Sequence, residues 1–201
     1  MNLSKENLDK INFSILREFK STCWISGGSV ASIILDEKID DVDIFFPNEE
    51  TLKRGEKKML QMGAERIDSY TLGQKFKLNG KIYDLIHAGR TPEETVSNSD
   101  WTACCAAIDK KGYFYCHENF LEHAASKELH FIGNHPTNRE LSFKSKTKRL
   151  IKYIEKGYKI TEKGLLLWLS RIISDQNKLR NKKKMHIIKF NIIKCKINLN
   201  K

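Results

Sequence analysis

Two aspartates one residue apart, Asp41 and Asp43, open the run Asp41-Val42-Asp43-Ile44-Phe45-Phe46. In an extended chain alternate residues share a face, so both carboxylates project together while Val42, Ile44 and Phe46 occupy the opposite face. Like charges this close repel, and a divalent metal such as Mg²⁺ or Mn²⁺ is the usual way to make such a pair favourable. A third carboxylate follows from a turn. Asn79-Gly80 is a strong two-residue hairpin signal, and it sets Leu78 opposite Lys81, Lys77 opposite Ile82, Phe76 opposite Tyr83 and Lys75 opposite Asp84. Phe76, Leu78, Tyr83 and Leu85 then share the core face, and Asp84 falls on the other. If its strand lies beside the Asp41 strand, Asp84 completes a two-metal site. The same register equally allows an ion pair between Asp84 and Lys75.

Upstream, Cys23-Trp24-Ile25 is apolar and Ser26-Gly27-Gly28-Ser29 interrupts it before Val30-Ala-Ser-Ile-Ile-Leu35. Two glycines let a backbone approach phosphate oxygens closely, and unpaired amides at the start of the following helix favour an anion. Taken separately, a Gly-Gly turn and an Asp-x-Asp are both common. The informative feature is their order: apolar strand, Gly27-Gly28-Ser29, short helix, and Asp-x-Asp on a second apolar strand.

The elements that must hold these residues are legible from spacing. Leu8, Ile11, Ile15, Leu16 and Phe19 predict an amphipathic helix over residues 6–20. Pro47 closes the Asp41–Phe46 strand, and Asn48 caps a helix that Gly63 ends. Thr91-Pro-Glu-Glu94 reads as a capping box, and residues 106–115 as a second hairpin. A helix near residues 144–156 stops at Gly157. Another starts from a Thr161 cap and sets Leu165, Trp168, Leu169 and Ile172 on one face.

At the glycine turn and the aspartate strand the sequence resembles the DNA polymerase β-like nucleotidyltransferase superfamily, whose pattern is Gly-Gly or Gly-Ser, a short helix, then Asp-x-Asp or Asp-x-Glu. Within it, the chain is most similar to the head domain of CCA-adding enzymes and bacterial poly(A) polymerases, because later segments also fall in order. Residues 99–109, Ser-Asp-Trp-Thr-Ala-Cys-Cys-Ala-Ala-Ile-Asp, resemble the family's Arg-Arg-Asp-Phe-Thr-Ile-Asn-Ala-Met-Ala-Tyr-Asp motif. Residues 136–139 and 148–158 are similar to the segment leading into its helical neck.

The resemblance implies an α+β fold with a small mixed β-sheet flanked by helices, to which spacing and charge add C-terminal helices and a basic tail. Its expected divisions are a head-like domain over residues 1–140, a helical neck-like segment over 141–176 and a lysine-rich tail over 177–201. It implies a metal-dependent transfer of a nucleoside monophosphate from a nucleoside triphosphate to a hydroxyl, on RNA or tRNA. Asp41, Asp43 and Asp84 would be the catalytic and metal-binding residues, and Gly27, Gly28, Ser29 and Asp100 would meet the nucleotide. Asp100 has a plainer reading as a helix or strand cap.

Several positions depart from the family pattern. Ala31-Ser32 stand where it has Arg-Asp, Asn98-Ser99 where it has Arg-Arg, and its asparagine is replaced near Cys104. Some triphosphate and sugar contacts are therefore missing or supplied elsewhere. Residues 141–145 lack the family's acidic and arginine template for C and A, and little chain follows Thr161 for its body and tail domains. Two rival readings stand beside the enzyme. One is a nucleic-acid-binding protein that keeps the fold without the chemistry, and the other is a toxin-type nucleotidyltransferase acting on tRNA or a protein.

Charge bears on the acceptor. The 201 residues carry a net charge of +11, and nine basic residues without one acid lie between Asn177 and Lys201, leaving the rest near +2. Such a tail, Lys182, Lys183 and Lys184 included, is the footprint of a protein that meets phosphate backbones; a solvated tail is the plain alternative. Lys148 and Arg149 could meet triphosphate or RNA, or form a solvated helix face. The longest apolar stretch, Gly164-Leu-Leu-Leu-Trp-Leu169, is far short of the ~20 residues of a bilayer span. With charges near Met1 and no secretory signal, a cytosolic protein without membrane contact is expected. Five cysteines without a Cys-x-x-Cys pair predict reduced, mostly buried thiols, and the six histidines show no metal-ligand spacing.

Overall fold

The computed structural model describes residues 14–87, 89–132 and 143–182. A mixed sheet of seven strands forms its centre, in the spatial order Glu65–Tyr70, Gly73–Leu78, Lys81–His87, Asp41–Phe46, Trp24–Ser26, Ala106–Asp109, Phe114–Cys116. Helix α1 (Ser14–Glu18) precedes β1 (Trp24–Ser26), and helix α2 (Gly28–Ile34) leads to β2 (Asp41–Phe46). Helix α3 (Glu49–Gln61) is followed by β3 (Glu65–Tyr70), β4 (Gly73–Leu78) and β5 (Lys81–His87). Helix α4 (Pro92–Ser97), a 3₁₀ turn at Thr102–Cys104, β6 (Ala106–Asp109) and β7 (Phe114–Cys116) complete the sheet. Beyond it lie α5 (Phe120–Ala125), β8 (Glu128–Leu129), α6 (Phe143–Glu155), β9 (Lys159–Ile160) and α7 (Glu162–Lys182).

β1 explains why both faces of the sheet are covered. Ile25 joins the main apolar cluster with α1, α2 and α3, whereas Trp24 packs on the other face with Val96, Cys105 and Ala107. Alternation along a strand sends successive side chains to opposite faces, so a short strand buried throughout needs a layer on each side. A third cluster joins Trp101 and Leu129 to Leu150, Tyr153, Trp168 and Ile172, and this is what fastens α6 and α7 to the body.

Most turn signals act where the sequence puts them. Asn48 and Thr51 form a reciprocal cap at α3, and Thr91 and Glu94 do the same at α4. The hairpin β4–β5 has the expected register, Lys75 opposite Asp84 included. Two expectations need revision. β3 has no counterpart in the sequence reading: it is an edge strand exposed at all six residues, so no burial pattern marks it. Leu169 is 42% exposed and is not part of the buried face of α7. α7 itself runs on to Lys182, and residues 177–182 contain no helix-breaking Gly or Pro. The expected helix over residues 6–20 is described only from Ser14. Lys183, Lys184 and Cys195 lie outside the described residues.

Candidate active site

The carboxylates are brought together by strand pairing. β2 and β5 run parallel with Asp43 and Asp84 as Cα partners, and β5 pairs antiparallel to β4 with Asp84 opposite Lys75. Residues in register across neighbouring strands share a face, so Lys75, Asp84 and Asp43 form a row across the sheet, with Asp41 one pleat away. Val42, Ile44 and Phe46 point into the core instead. Asp84 therefore stands beside the Asp41 strand, the condition set for a third carboxylate, and it also pairs with Lys75, though as a buried carboxylate and not in an exposed salt bridge.

Lys75 Nζ lies 3.0 Å from Asp84 Oδ2 and 3.8 Å from Asp41 Oδ2. Tyr70, at the end of β3, donates its hydroxyl to Asp84 Oδ1. From the far side of the cleft Lys152 on α6 reaches Asp41 Oδ1 at 2.9 Å. Among the described residues no hydrogen-bond donor reaches Asp43. Burial pushes its carboxyl up to about 7, with the charges of Asp41 and Asp84 adding to the rise and those of Lys152 and Lys75 opposing it.

The glycine turn closes one end of this row. Gly27 has φ +92° and ψ −151°, a conformation open in practice to glycine alone, and a Cβ there would lie 3.5 Å from Asp43 Oδ2. At Gly28 a Cβ would come within 2.8 Å of the Tyr153 hydroxyl, so only hydrogen fits between the turn and α6. The Ser29 hydroxyl is buried and has no hydrogen-bond partner among the described residues.

α6 forms the opposite wall. Lys148, Lys152 and Lys156 recur every four residues, which sets them on one helix face. Lys156 binds Asp40 at 3.0 Å, and that contact holds the Asp40 carboxyl below its ordinary range. Arg149 Nη1 lies 2.6 Å from Asp100 Oδ2, so the buried Asp100 anchors an arginine whose side chain is 43% exposed.

Between these walls is a cavity of about 500 Å³. It brings together Gly27, Gly28, Ser29, Asp41, Asp43, Asp84, Asp100, Lys148 and Arg149. Lys182 is the last residue of α7, and its side chain lies outside the described ones. Sequence reasoning missed Tyr70, Arg90, Lys152, Tyr153 and Lys156, which also line it. The four-residue lysine period of α6 was the available signal for two of them. It also missed a group outside the cavity: His123, Glu128 and His130 each offer a ligand atom within 4.8 Å of the others, despite the absence of a familiar ligand spacing.

Comparison with solved structures gives the same fold. A Thermotoga maritima CCA-adding enzyme complexed with tRNA superposes with a TM-score of 0.59 at 16% identity, over 86% of this chain and 43% of that one. A CCA-adding enzyme with CTP gives 0.60 at 17% identity, over 92% and 52%. A tRNA nucleotidyltransferase complexed with a primer tRNA and an ATP analog gives 0.55 at 16%, over 87% and 57%. The chain thus spans about half the length of these proteins, and the likeness is to a polymerase β-type nucleotidyltransferase head. No curated protein matches its sequence. Among the described residues no helix is long and apolar enough to cross a membrane. A family model described as Gabija anti-defense 2 family protein matches residues 2–127, well over half of the 201, and the chain therefore belongs to the Gabija anti-defense 2 family.

Proposed function

We propose that this chain is a metal-dependent nucleotidyltransferase that moves a nucleoside monophosphate from a nucleoside triphosphate to a hydroxyl acceptor. The observation that carries the reading is the row Asp43–Asp84 beside Gly27, at the floor of a cavity whose other wall is cationic. The acceptor oxygen would bond to the α-phosphorus as the bond to the β-phosphate breaks, and pyrophosphate would leave.

The donor set fits a divalent cation. Three carboxylates crowd one face, and Asp43, without a donor among the described residues, is held near neutral pH by burial and its acidic neighbours. Asp41 and Asp43 would hold Mg²⁺ or Mn²⁺, with Asp84 as the third ligand. When bound, the metal would neutralise phosphate charge and make the acceptor hydroxyl easier to deprotonate. Asp84, fixed by Tyr70 and Lys75, would orient that hydroxyl. Gly27 and Gly28 would let the backbone come close to the triphosphate near Ser29. Lys148, Arg149 and Lys152 would meet its phosphates, Asp100 setting the direction of Arg149.

For the acceptor we favour RNA or tRNA. The excess of lysine after residue 177, Lys182, Lys183 and Lys184 included, supports a phosphate-rich partner. The divisions that suit this reading are a head over residues 1–140, a neck-like segment over 141–176 and a lysine-rich tail beyond. The family name adds a purpose: the product would act against a defence system, and a protein acceptor belonging to that system would satisfy the same chemistry.

One observation favours a different reading. Lys75 and Lys152 place amines on the carboxylates that would hold the metal, which suits a nucleic-acid-binding protein without transfer activity. The two are separated by incubating the purified chain with Mg²⁺, each labelled triphosphate in turn, and total RNA plus total protein. Label in RNA or protein that disappears with Asp43→Asn establishes transfer and names the acceptor class. Binding of RNA without label would leave the second reading in place.

A further inference from the structure

We propose that His123, Glu128 and His130 form a zinc site, separate from the carboxylate row, that clamps α5 to β8. The three come from the last turn of α5 and from the strand segment that follows it. One ligand atom of each lies within 4.8 Å of the other two. His130 Nε2 and Glu128 Oε2 are 3.0 Å apart. With metal–ligand bonds of about 2.0–2.1 Å, ligands on one tetrahedral edge sit roughly 3.3 Å apart, so this pair is already spaced as an edge. The proton shared between them is what the cation would replace.

His123 supplies the third corner. Its Nδ1 lies 2.6 Å from the Thr102 hydroxyl, which orients the ring and leaves Nε2 as the free nitrogen. The two imidazoles stack with centroids 3.8 Å apart and planes 10° from parallel, so binding one ion would turn a ring out of the stack to bring both nitrogens to it. Two imidazoles and one carboxylate suit Zn²⁺, with water as the fourth ligand. All three side chains are partly accessible, so the ion has an entry path.

Such a clamp would be felt at the cleft. The backbone of Thr102 donates to the His130 carbonyl at 3.0 Å, and that of Ile132 donates to the Asp100 carbonyl at 3.0 Å. Trp101 pairs with Phe131 between them. Of the three ligands, His130 thus belongs to the same ladder as Asp100, the residue that holds Arg149. Cross-linking α5 to this ladder would stiffen one wall of the cavity without touching its carboxylates.

The test uses the full chain, stripped with chelator and titrated with Zn²⁺ and, separately, Co²⁺. The expected result is one Zn²⁺ equivalent that His130→Gln and Glu128→Gln remove and Asp43→Asn leaves in place. Visible Co²⁺ absorption should follow the same pattern, with a rise in Tm of roughly 5 °C at saturating Zn²⁺. The two glutamine variants retain partly exposed polar side chains, and circular dichroism would establish that they fold. Equal Zn²⁺ binding by the wild type and both variants, or no Zn²⁺ equivalent in the wild type, would overturn the proposal.

Discussion

Asp43 and Asp84 are Cα partners on adjacent parallel strands, so their carboxylates stand side by side on one face of the sheet. Lys75 reaches Asp84 from one side and Lys152 reaches Asp41 from the other, so Asp43 is the member of the row without a hydrogen-bonding neighbour among the described residues. That asymmetry makes Asp43 the most informative position to change.

Asp43→Asn should abolish nucleotidyl transfer and stabilise the metal-free fold. Burial and the neighbouring carboxylates push the folded carboxyl up to about 7, well above the ordinary aspartate range of about 4, so its favourable contribution is full below about pH 4 and is lost as pH rises through about 7. At pH 8 the asparagine removes that penalty, worth roughly 2–4 kcal/mol once the accessibility of the side chain is allowed for. Thermal melts of both proteins with chelator at pH 5 and pH 8 check this. A gain at pH 8 that shrinks at pH 5 is expected, and Mg²⁺ should raise the wild-type Tm alone.

Lys152 spans the cleft to the face the metal would occupy. Lys152→Ala should tighten Mn²⁺ binding by roughly two- to fivefold, the scale of a partly exposed ion pair, while weakening nucleotide binding. Calorimetric titration with Mn²⁺ alone and then with nucleotide separates the two effects. Weaker Mn²⁺ binding would mean that Lys152 supports the metal site instead of competing with it.

Arg149 and Asp100 form a pair that is buried at the carboxylate and half open at the guanidinium. Arg149→Ala leaves a carboxylate 8% exposed without its partner and should cost roughly 1–3 kcal/mol of stability. Asp100→Asn in the same chain should recover part of that loss. A double-mutant cycle from urea melts measures the coupling, and additive losses would remove the pair as an anchor.

How far these features could be read in advance follows the distance over which each signal acts. Asp41-Val42-Asp43 and Asn79-Gly80 are local patterns, so the strand, the hairpin register and the face of Asp84 were all legible. Their parallel pairing was not, since nothing local specifies which strands meet. Lys152 lies 111 residues from Asp41 and looks, from its period, like one cation on a solvated face. β3 carries Tyr70 to Asp84 but buries nothing, so it leaves no hydrophobic trace. His123, Glu128 and His130 meet across a helix end, a turn at Lys127 with φ +56° and a two-residue strand, a spacing that matches no single element.

The basic residues beyond α7 can be tested without any assumption about their conformation. Deleting residues 183–201 removes six lysines. If they contact RNA, the slope of log affinity against log salt should flatten by up to roughly four, about 0.7 for each lost phosphate contact on a single strand. Filter binding across a salt series measures it, and an unchanged slope would relocate RNA binding to α6 and the cleft.

Gly28 and Tyr153 give the sharpest check on how α6 meets the glycine turn. Gly28 lies within α2 and has no unusual φ, so alanine is acceptable to its backbone, and the obstacle is the Tyr153 hydroxyl 2.8 Å from the new Cβ. Gly28→Ala should therefore destabilise by roughly 1–3 kcal/mol, the usual cost of overpacking, and lower nucleotide affinity. Tyr153→Phe removes the clashing oxygen and leaves the nearest ring carbon at 3.6 Å, an ordinary contact. Urea melts should thus find the double variant more stable than Gly28→Ala alone. Rescue would establish that α6 rests directly on the turn; a double variant no better than the single one would mean that the glycine is needed for its backbone and not for the space it leaves.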